Sequence, residues 1–340
     1  MRETGYVPLV EVRRGETVES IHFGAIAVVG ASGRAMVSAG DPGIVTFLRS
    51  AAKPAQLLPL LDSGAVEAFG ITEQEIAVMA GSHGGEPFHV DAVRSILARI
   101  GLTEAALQCG AHPPYHRPSA ELLRERGEKP SALHNNCSGK HAGMLALAVR
   151  LGAPTESYLD PGHPAQVLIR AAVERLAGLE ASGSTLATDG CSAPTFAMPL
   201  GRAALLYARL IDPGAAAGED GPKARRAVAA MRHHPRMVAG TGRFCTTLIE
   251  TAGWNLIAKI GAEGFVGMAY ASGTEGVGVA LKIADGEGQR ARYGAALEIL
   301  SQLGVLAAEE AGALKAQFVG EVVNHRGLTV GSVRTTFRLG

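Results

Sequence analysis

One segment of the sequence, RSAAKP at positions 49–54, places Ser50 three residues before Lys53. Residues three apart on a helical turn share a face, so this hydroxyl and this amine can come into contact. Serine is a weak nucleophile, and a lysine whose pKa is lowered by burial can take its proton. Pro54 suits the start of a helix better than its interior. The alternative interpretation is a solvated surface turn, because a Ser-x-x-Lys pattern often arises by chance.

A second serine and a second lysine occur in glycine-rich surroundings. Ser82 lies in the segment 79–86, where glycines let the backbone approach a small ligand, although a plain turn between helices also fits. Lys259 is predicted on a strand and is followed by Gly261. This strand partly matches the Lys-Thr-Gly strand of β-lactamases, with a different middle residue.

Two cysteines sit among small polar residues. Cys137 precedes Lys140 by three positions, and Cys191 lies in the segment 188–195. Neither cysteine has the paired spacing of a zinc ribbon. If the two meet in space, a disulfide, a metal site and simple thiol packing remain open, and a reducing compartment disfavours the first. For Cys109 and Cys245 we expect buried structural thiols.

The composition is that of an ordinary globular protein. The chain has 340 residues, and its 32 basic and 32 acidic residues give a formal net charge of zero. This balance argues against nucleic-acid or membrane-surface binding. The N-terminal stretch lacks the apolar region of a secretory signal, and no window reaches the length of a membrane span. We therefore expect a soluble, cytoplasmic protein.

The elements that must position these residues follow the order strands, helices, strands. Short strands are predicted in the first forty residues, among them Val18–Phe23 and Ala25–Val29 with a turn at Gly24. Residues from about 51 to 211 have mainly helical periodicity. Strands return between 255 and 283, and Val330–Leu339 alternates like a final strand. The pattern predicts a single α+β domain over 1–340, with an antiparallel sheet completed by both chain ends and flanked by helices.

Five stretches together resemble one known family, the rhizobial-type (thermolabile, asparaginase II) L-asparaginases. They are RSAAKPAQ (49–56), GSHGGEP (81–87), NNCSGKHAGM (135–144), DGCSAPTFA (189–197) and AKIGAEG (258–264). They span most of the chain, and the third and fourth are the most specific.

The resemblance implies a serine β-lactamase/glutaminase-like fold, a homodimer and hydrolysis of L-asparagine to L-aspartate and ammonia. By position, Ser50 corresponds to the nucleophile, Lys53 to its base, and Ser82 with Lys259 to a second Ser–Lys pair. The stretches that line the substrate pocket contain Arg49, His141 and Asp189. Of these, Arg49 is the candidate partner of the substrate carboxylate and Asp189 that of its ammonium group. The positions that hold Zn²⁺ in the family are Cys137, Lys140 and Cys191, and the ion either organises the pocket or is not required for turnover.

Two other functions fit the same residues. A glutaminase or another Ser/Lys amidase differs from an asparaginase by as little as one methylene of substrate, worth about 1–3 kcal/mol in an apolar pocket. A non-catalytic protein of the same fold that binds zinc or an amino acid is the alternative from another class. Retention of both Ser–Lys pairs argues against the second alternative, and the release of ammonia distinguishes it from an enzyme.

Overall fold

A computed structural model of the protein describes residues 5–212, 214 and 217–340. Its strands are β1 Val7–Arg14, β2 Thr17–Gly30, β3 Ala35–Ala39, β4 Val45–Phe47, β5 Thr185–Thr188, β6 Pro194–Pro199, β7 Leu256–Ile260, β8 Phe265–Ser272, β9 Glu275–Ile283, β10 Val322–Val323 and β11 Thr329–Thr335. Its α-helices are α1 Lys53–Gln56, α2 Leu58–Asp62, α3 Ala65–Phe69, α4 Glu73–Ala80, α5 Pro87–Arg99, α6 Arg117–Glu125, α7 Ser138–Arg150, α8 Pro164–Ala177, α9 Leu200–Ile211, α10 Gly221–His233, α11 Pro235–Val238, α12 Phe244–Ala252, α13 Arg290–Gln302 and α14 Ala308–Phe318. No helix in these ranges is long and apolar enough to span a membrane.

The large sheet joins the two ends of the chain. Its strand order is β10-β11-β1-β2-β9-β8-β7, with β3 added beside β2, and all neighbouring strands are antiparallel. The N-terminal strand β1 pairs with the C-terminal strand β11, with Val10 opposite Thr335. The predicted fold class is therefore confirmed: an antiparallel sheet, completed by both chain ends, is flanked by helices.

Alternation along the central strand β2 divides the core into two layers. Ala25, Ala27 and Val29 face the helical middle of the chain, whereas Ile26 and Val28 face the layer that contains α12, α13 and α14. Successive side chains of a strand point to opposite faces, so a run that is apolar at every position is buried on both sides. The continuous apolar run of β2 thus requires helices on both faces of the sheet.

Helix α9 lies directly on the sheet at a glycine of β9. A Cβ atom at Gly278 would stand 1.9 Å from the carbonyl oxygen of Ala204 and 2.4 Å from the backbone nitrogen of Ala208. These backbone atoms have no side-chain freedom with which to move aside, so the close packing depends on the missing side chain.

We expect Gly278→Ala to lower the free energy of unfolding by about 1–3 kcal/mol or more, because the added methyl overpacks this contact. Urea denaturation followed by circular dichroism measures the change. The matched control is Gly312→Ala in α14, where a Cβ has open space and the substitution is expected to be neutral or stabilising by about 1 kcal/mol. Equal stability of Gly278→Ala and the wild-type protein would mean that α9 is not held at this distance.

Two strand predictions need correction. The predicted strands Val18–Phe23 and Ala25–Val29 form one strand, because Gly24 pairs with Val7 of β1 and Ile283 of β9 instead of turning. The predicted final strand Val330–Leu339 ends at Thr335.

A smaller sheet, absent from the sequence analysis, positions the first candidate motif. Its strand order is β4-β6-β5, and both contacts are antiparallel. Just after β4, the Leu48 N–H donates to the carbonyl of Phe196 in β6, and the chain then enters a 3₁₀ helix over Arg49–Ala52. The loop between β5 and β6 carries Asp189 and Cys191, so this sheet brings two of the recognised stretches together.

Candidate active site

The first Ser–Lys pair stands where the 3₁₀ helix passes into α1. The backbone N–H of Lys53 donates to the carbonyl of Ser50, and Pro54 occupies the first turn of α1, where its missing N–H costs nothing. Arg49 has a φ of +50°, a left-handed conformation that is uncommon for residues other than glycine. Such strain persists where the surrounding structure holds it, and it often marks functional sites.

Lys53 places its amine in the interior, in contact with groups from other segments of the chain. Its Nζ donates to the carbonyl oxygen of Gly81 at 2.7 Å, to Oγ of Ser82 at 2.8 Å and to the carbonyl oxygen of Asn136 at 3.2 Å. The side chain is 1% exposed, and this burial lowers its pKa. Within the described ranges the half-buried hydroxyl of Ser50 has no hydrogen-bond partner. It is therefore free to meet a substrate.

Ser82 lies between two lysine amines. Lys259, on β7, donates from Nζ to Oγ of Ser82 at 2.8 Å and to the carbonyl oxygen of Ile260 at 2.9 Å. Lys259 is 1% exposed, and its burial, together with the positive charge of Lys53, lowers its pKa to about 7. Two buried amines that contact one hydroxyl can share a proton through it.

The turn that carries Ser82 requires a glycine before it. The Ser82 N–H donates to the carbonyl of Val238 at 2.7 Å. A Cβ at Gly81 would lie 2.7 Å from that same oxygen and 2.8 Å from the carbonyl oxygen of Met237. The close backbone contact with α11 therefore excludes a side chain at Gly81, and it positions the backbone of Ser82.

His83 is a structural residue of the site to which sequence reasoning gave no role. Its Nδ1 accepts the N–H of Gly85 at 3.2 Å, which places the ring proton on Nε2, 2.9 Å from Oγ of Ser138. The Ser138 hydroxyl donates onward to the carbonyl of Leu133. Burial holds the pKa of His83 well below its usual value, so the ring is neutral. His83 thus connects the Ser82 turn to the start of α7, and its spacing in the sequence gave no sign of this.

Cys137, Lys140 and Cys191 come together beside the lysines. Nζ of Lys140 donates to Sγ of Cys191 at 3.1 Å, and all the cysteines are free thiols. A hydrogen bond from the Cys191 thiol, with the charge of Lys53 nearby, holds the pKa of Cys137 well below its usual value, and the same hydrogen bond raises that of Cys191. Burial lowers the pKa of Lys140, but the two sulfurs raise it by more. In this cluster, negative charge is therefore favoured on Cys137 over Cys191, and positive charge is favoured on Lys140.

The pocket residues expected from the resemblance occupy two places. Arg49 Nε donates to Oδ1 of Asp189 at 2.7 Å; burial raises the pKa of this carboxyl, but Lys140 and Arg49 together hold it below its usual value. His141 is fully buried, and the Tyr158 hydroxyl contacts its Nδ1 at 2.7 Å. Its Nε2 is buried without a partner in the described ranges. An unpaired buried donor of this kind can serve a bound ligand.

Comparison with known proteins identifies related chains. A family model described as L-asparaginase II matches residues 10–335. No curated protein shows significant similarity to the chain.

Solved structures give weaker likenesses. One structure of Mglu is 16% identical, with 83% of this chain and 67% of that chain covered and a TM-score of 0.46. Mglu in its native form is 17% identical; the match covers 83% of this chain and 64% of the Mglu chain, with a TM-score of 0.48. A Bacillus glutaminase in 4.3 M NaCl is 14% identical, with 77% and 83% covered and a TM-score of 0.36. This chain thus spans about two thirds of the length of the Mglu chains.

Proposed function

The chain belongs to the L-asparaginase II family, and from that premise we propose that it hydrolyses L-asparagine to L-aspartate and ammonia by a Ser/Lys mechanism. The observation that carries the proposal is the hydroxyl of Ser82, 2.8 Å from each of two buried lysine amines. Amide hydrolysis needs a base that is neutral at working pH and can return its proton to the leaving nitrogen. Lys259, whose pKa is about 7, can take up a proton through Ser82 and so leave Lys53 neutral for that role.

The two lysines prepare the nucleophile by sharing one proton. With Lys53 charged and Lys259 neutral, a proton of Lys53 passes to Ser82 while the Ser82 hydroxyl proton passes to Lys259. Lys53 is then neutral and can take the proton of the Ser50 hydroxyl, three residues away on the same turn. Ser82 is unchanged at the end of the transfer, so it acts as a relay.

Ser50 then attacks the side-chain amide carbon of asparagine. A carbon–oxygen bond forms, and the tetrahedral intermediate collapses as Lys53 gives its proton to the leaving nitrogen and ammonia departs. Water, deprotonated by the same lysine, hydrolyses the aspartyl ester and regenerates Ser50. We assign Ser50 as the nucleophile because its hydroxyl is unpaired and half-buried, whereas Ser82 is 6% exposed and already engaged by both amines.

The charged groups near Ser50 suit the ammonium end of the substrate. Asp189 is held ionised beside Arg49 and Lys140, and a carboxylate that is already oriented loses little entropy when it binds a cation. We therefore assign Asp189 to the substrate ammonium group, with Arg49 orienting it. Nε2 of His141 is a further donor for the substrate.

The cluster of Cys137, Lys140 and Cys191 fits a zinc ion. Two sulfur donors and one nitrogen donor suit Zn²⁺, and three protein ligands leave a fourth position for water. In the described ranges no group of three or more His, Cys, Asp or Glu side chains is placed for a metal, so the lysine has to complete the set. Lys140 must lose its proton to bind, which makes the affinity dependent on pH. A bound ion would supply positive charge beside Lys53.

We expect Cys191→Ser to lower the zinc content of the purified protein, because it removes one of the two sulfur ligands. Plasma mass spectrometry after exposure to zinc and removal of the excess measures this content. Cys109→Ser is the control, since the Cys109 thiol contacts the carbonyl of Ala132 instead of the cluster. A full zinc complement in Cys191→Ser would exclude this site.

The proposed substrate is tested by comparing the release of ammonia from L-asparagine and L-glutamine by the same preparation. The proposal expects a higher kcat/KM for asparagine. A preference for glutamine would make the protein a glutaminase, and no release from either amide would favour a protein that binds ligand without catalysis.

Two further expectations stay predictions. The homodimer is measured by light scattering of the purified protein, and the cytoplasmic location by fractionation of cells that produce it.

A further inference from the structure

A second arginine near the lysines has no acidic partner. The guanidinium of Arg243 makes no ion pair or hydrogen bond with any residue in the described ranges, and its Nη1 is buried. Its Cζ lies 5.4 Å from the centre of the Tyr115 ring, and that residue is 59% exposed. A buried guanidinium donor without an acceptor is unfavourable, so this arrangement favours the binding of an anion.

The position of Arg243 links it to the catalytic lysines. Arg243 precedes α12, at the end of a loop that packs against the Ser82 turn. The N–H and the hydroxyl of Thr241 donate to the two carboxylate oxygens of Glu86. This carboxylate is therefore engaged by Thr241 and forms no ion pair with Arg243. The positive charge of Arg243 also contributes to the lowered pKa values of Lys259 and His83.

The other candidate arginine is already paired. Nε of Arg49 lies 2.7 Å from Oδ1 of Asp189, so the two charges neutralise each other. A substrate carboxylate at Arg49 would compete with Asp189, whereas at Arg243 it would meet an unpaired cation. The planar fork of a guanidinium also matches both oxygens of a carboxylate.

We propose that Arg243 binds the α-carboxylate of the amino-acid substrate, with the ring of Tyr115 supporting the guanidinium. The inference rests on the proposed function for the identity of the substrate. It replaces Arg49 as the expected carboxylate partner, and it makes Arg243 a residue that determines specificity.

The test measures by calorimetry how tightly the protein binds two ligands, L-aspartate and β-alanine, and it needs no turnover. L-Aspartate carries the α-carboxylate, and β-alanine is the same molecule without it. We expect the wild-type protein to bind L-aspartate roughly 10- to 100-fold more tightly, the effect of a hydrogen-bonded charge pair. Arg243→Gln should remove most of this preference, and Arg243→Lys should keep part of it, because an ammonium group lacks the fork.

The control is Arg232→Gln. Nε and Nη2 of Arg232 are also buried without partners in the described ranges, but this side chain belongs to α10, so the preference should persist. The inference is overturned if the wild-type protein binds L-aspartate no better than β-alanine, or if Arg243→Gln keeps the preference; its loss in Arg49→Gln would then assign the carboxylate to Arg49. If Arg243→Gln does not fold, Arg243→Lys serves in its place, and an undiminished preference in that variant overturns the proposal. The absence of ammonia release from any amide, with the Arg243-dependent preference intact, would defeat the proposed function and support the carboxylate site.

Discussion

Replacing Ser50 with alanine is expected to lower kcat for asparagine by on the order of 10³- to 10⁶-fold, the loss typical of removing a nucleophile that works with a base. The hydroxyl of Ser50 has no hydrogen-bond partner in the described ranges. Its removal should therefore leave the melting temperature nearly unchanged. Ammonia release under saturating asparagine measures the effect.

The matched control for this substitution is Ser63→Ala. The Ser63 hydroxyl donates to the carbonyl of Leu60 at the end of α2, and its loss should leave kcat unchanged. Activity near the wild-type level in Ser50→Ala would transfer the role of nucleophile to Ser82 or Cys137. A transfer to Ser82 would also contradict its role as a relay.

Replacing Lys259 with methionine is expected to lower kcat/KM by about 10²- to 10⁴-fold, the usual contribution of a general base. In the wild-type protein, Lys259 titrates with a pKa of about 7. Below that pH Lys259 is charged and cannot receive a proton through Ser82; above it Lys259 is neutral and can. The wild-type kcat/KM should therefore rise with pH through about 7 and level off above it.

In Lys259→Met, kcat/KM should be low, and its pH profile should lack the inflection near pH 7. The groups that act on the Lys259 charge are Lys53 and Arg243, which lower its pKa, and Cys245 and Cys137, which raise it. Lys282→Met is the control, because Lys282 lies on β9 and donates to the carbonyl of Glu263. A wild-type pH profile in Lys259→Met would mean that a group other than Lys259 titrates near pH 7 and controls the rate.

The fold was largely predictable from the sequence because its signals are local. The alternating strands at both ends and the helical periodicity between them predict a sheet closed by the two termini, and β1 does pair with β11. Gly24 was misleading, since a glycine can mark a turn but also fits a strand paired on both sides. The small sheet was missed because two of its paired strands, Val45–Phe47 and Pro194–Pro199, are about 150 residues apart in the chain.

The site was less predictable than the fold, because its contacts join distant parts of the chain. The sequence marked both lysines, yet the three-residue spacing gave no sign that Lys53 would donate a hydrogen bond to Ser82. The pairing of Arg49 with Asp189 depends on the small sheet. Arg243 is left without an ion pair in the described ranges because the neighbouring acid, Glu86, is engaged by Thr241, which no pattern in one sequence can express.

The most direct test of the Ser/Lys account is the mass of the protein itself during turnover. Samples mixed with L-asparagine are quenched in acid at the earliest accessible times, and intact and peptide masses are then measured for the wild-type protein and for Ser50→Ala. The account predicts a covalent aspartyl group on Ser50 of the wild-type protein and none in Ser50→Ala. An aspartyl group on Ser82 or Cys137 would contradict it.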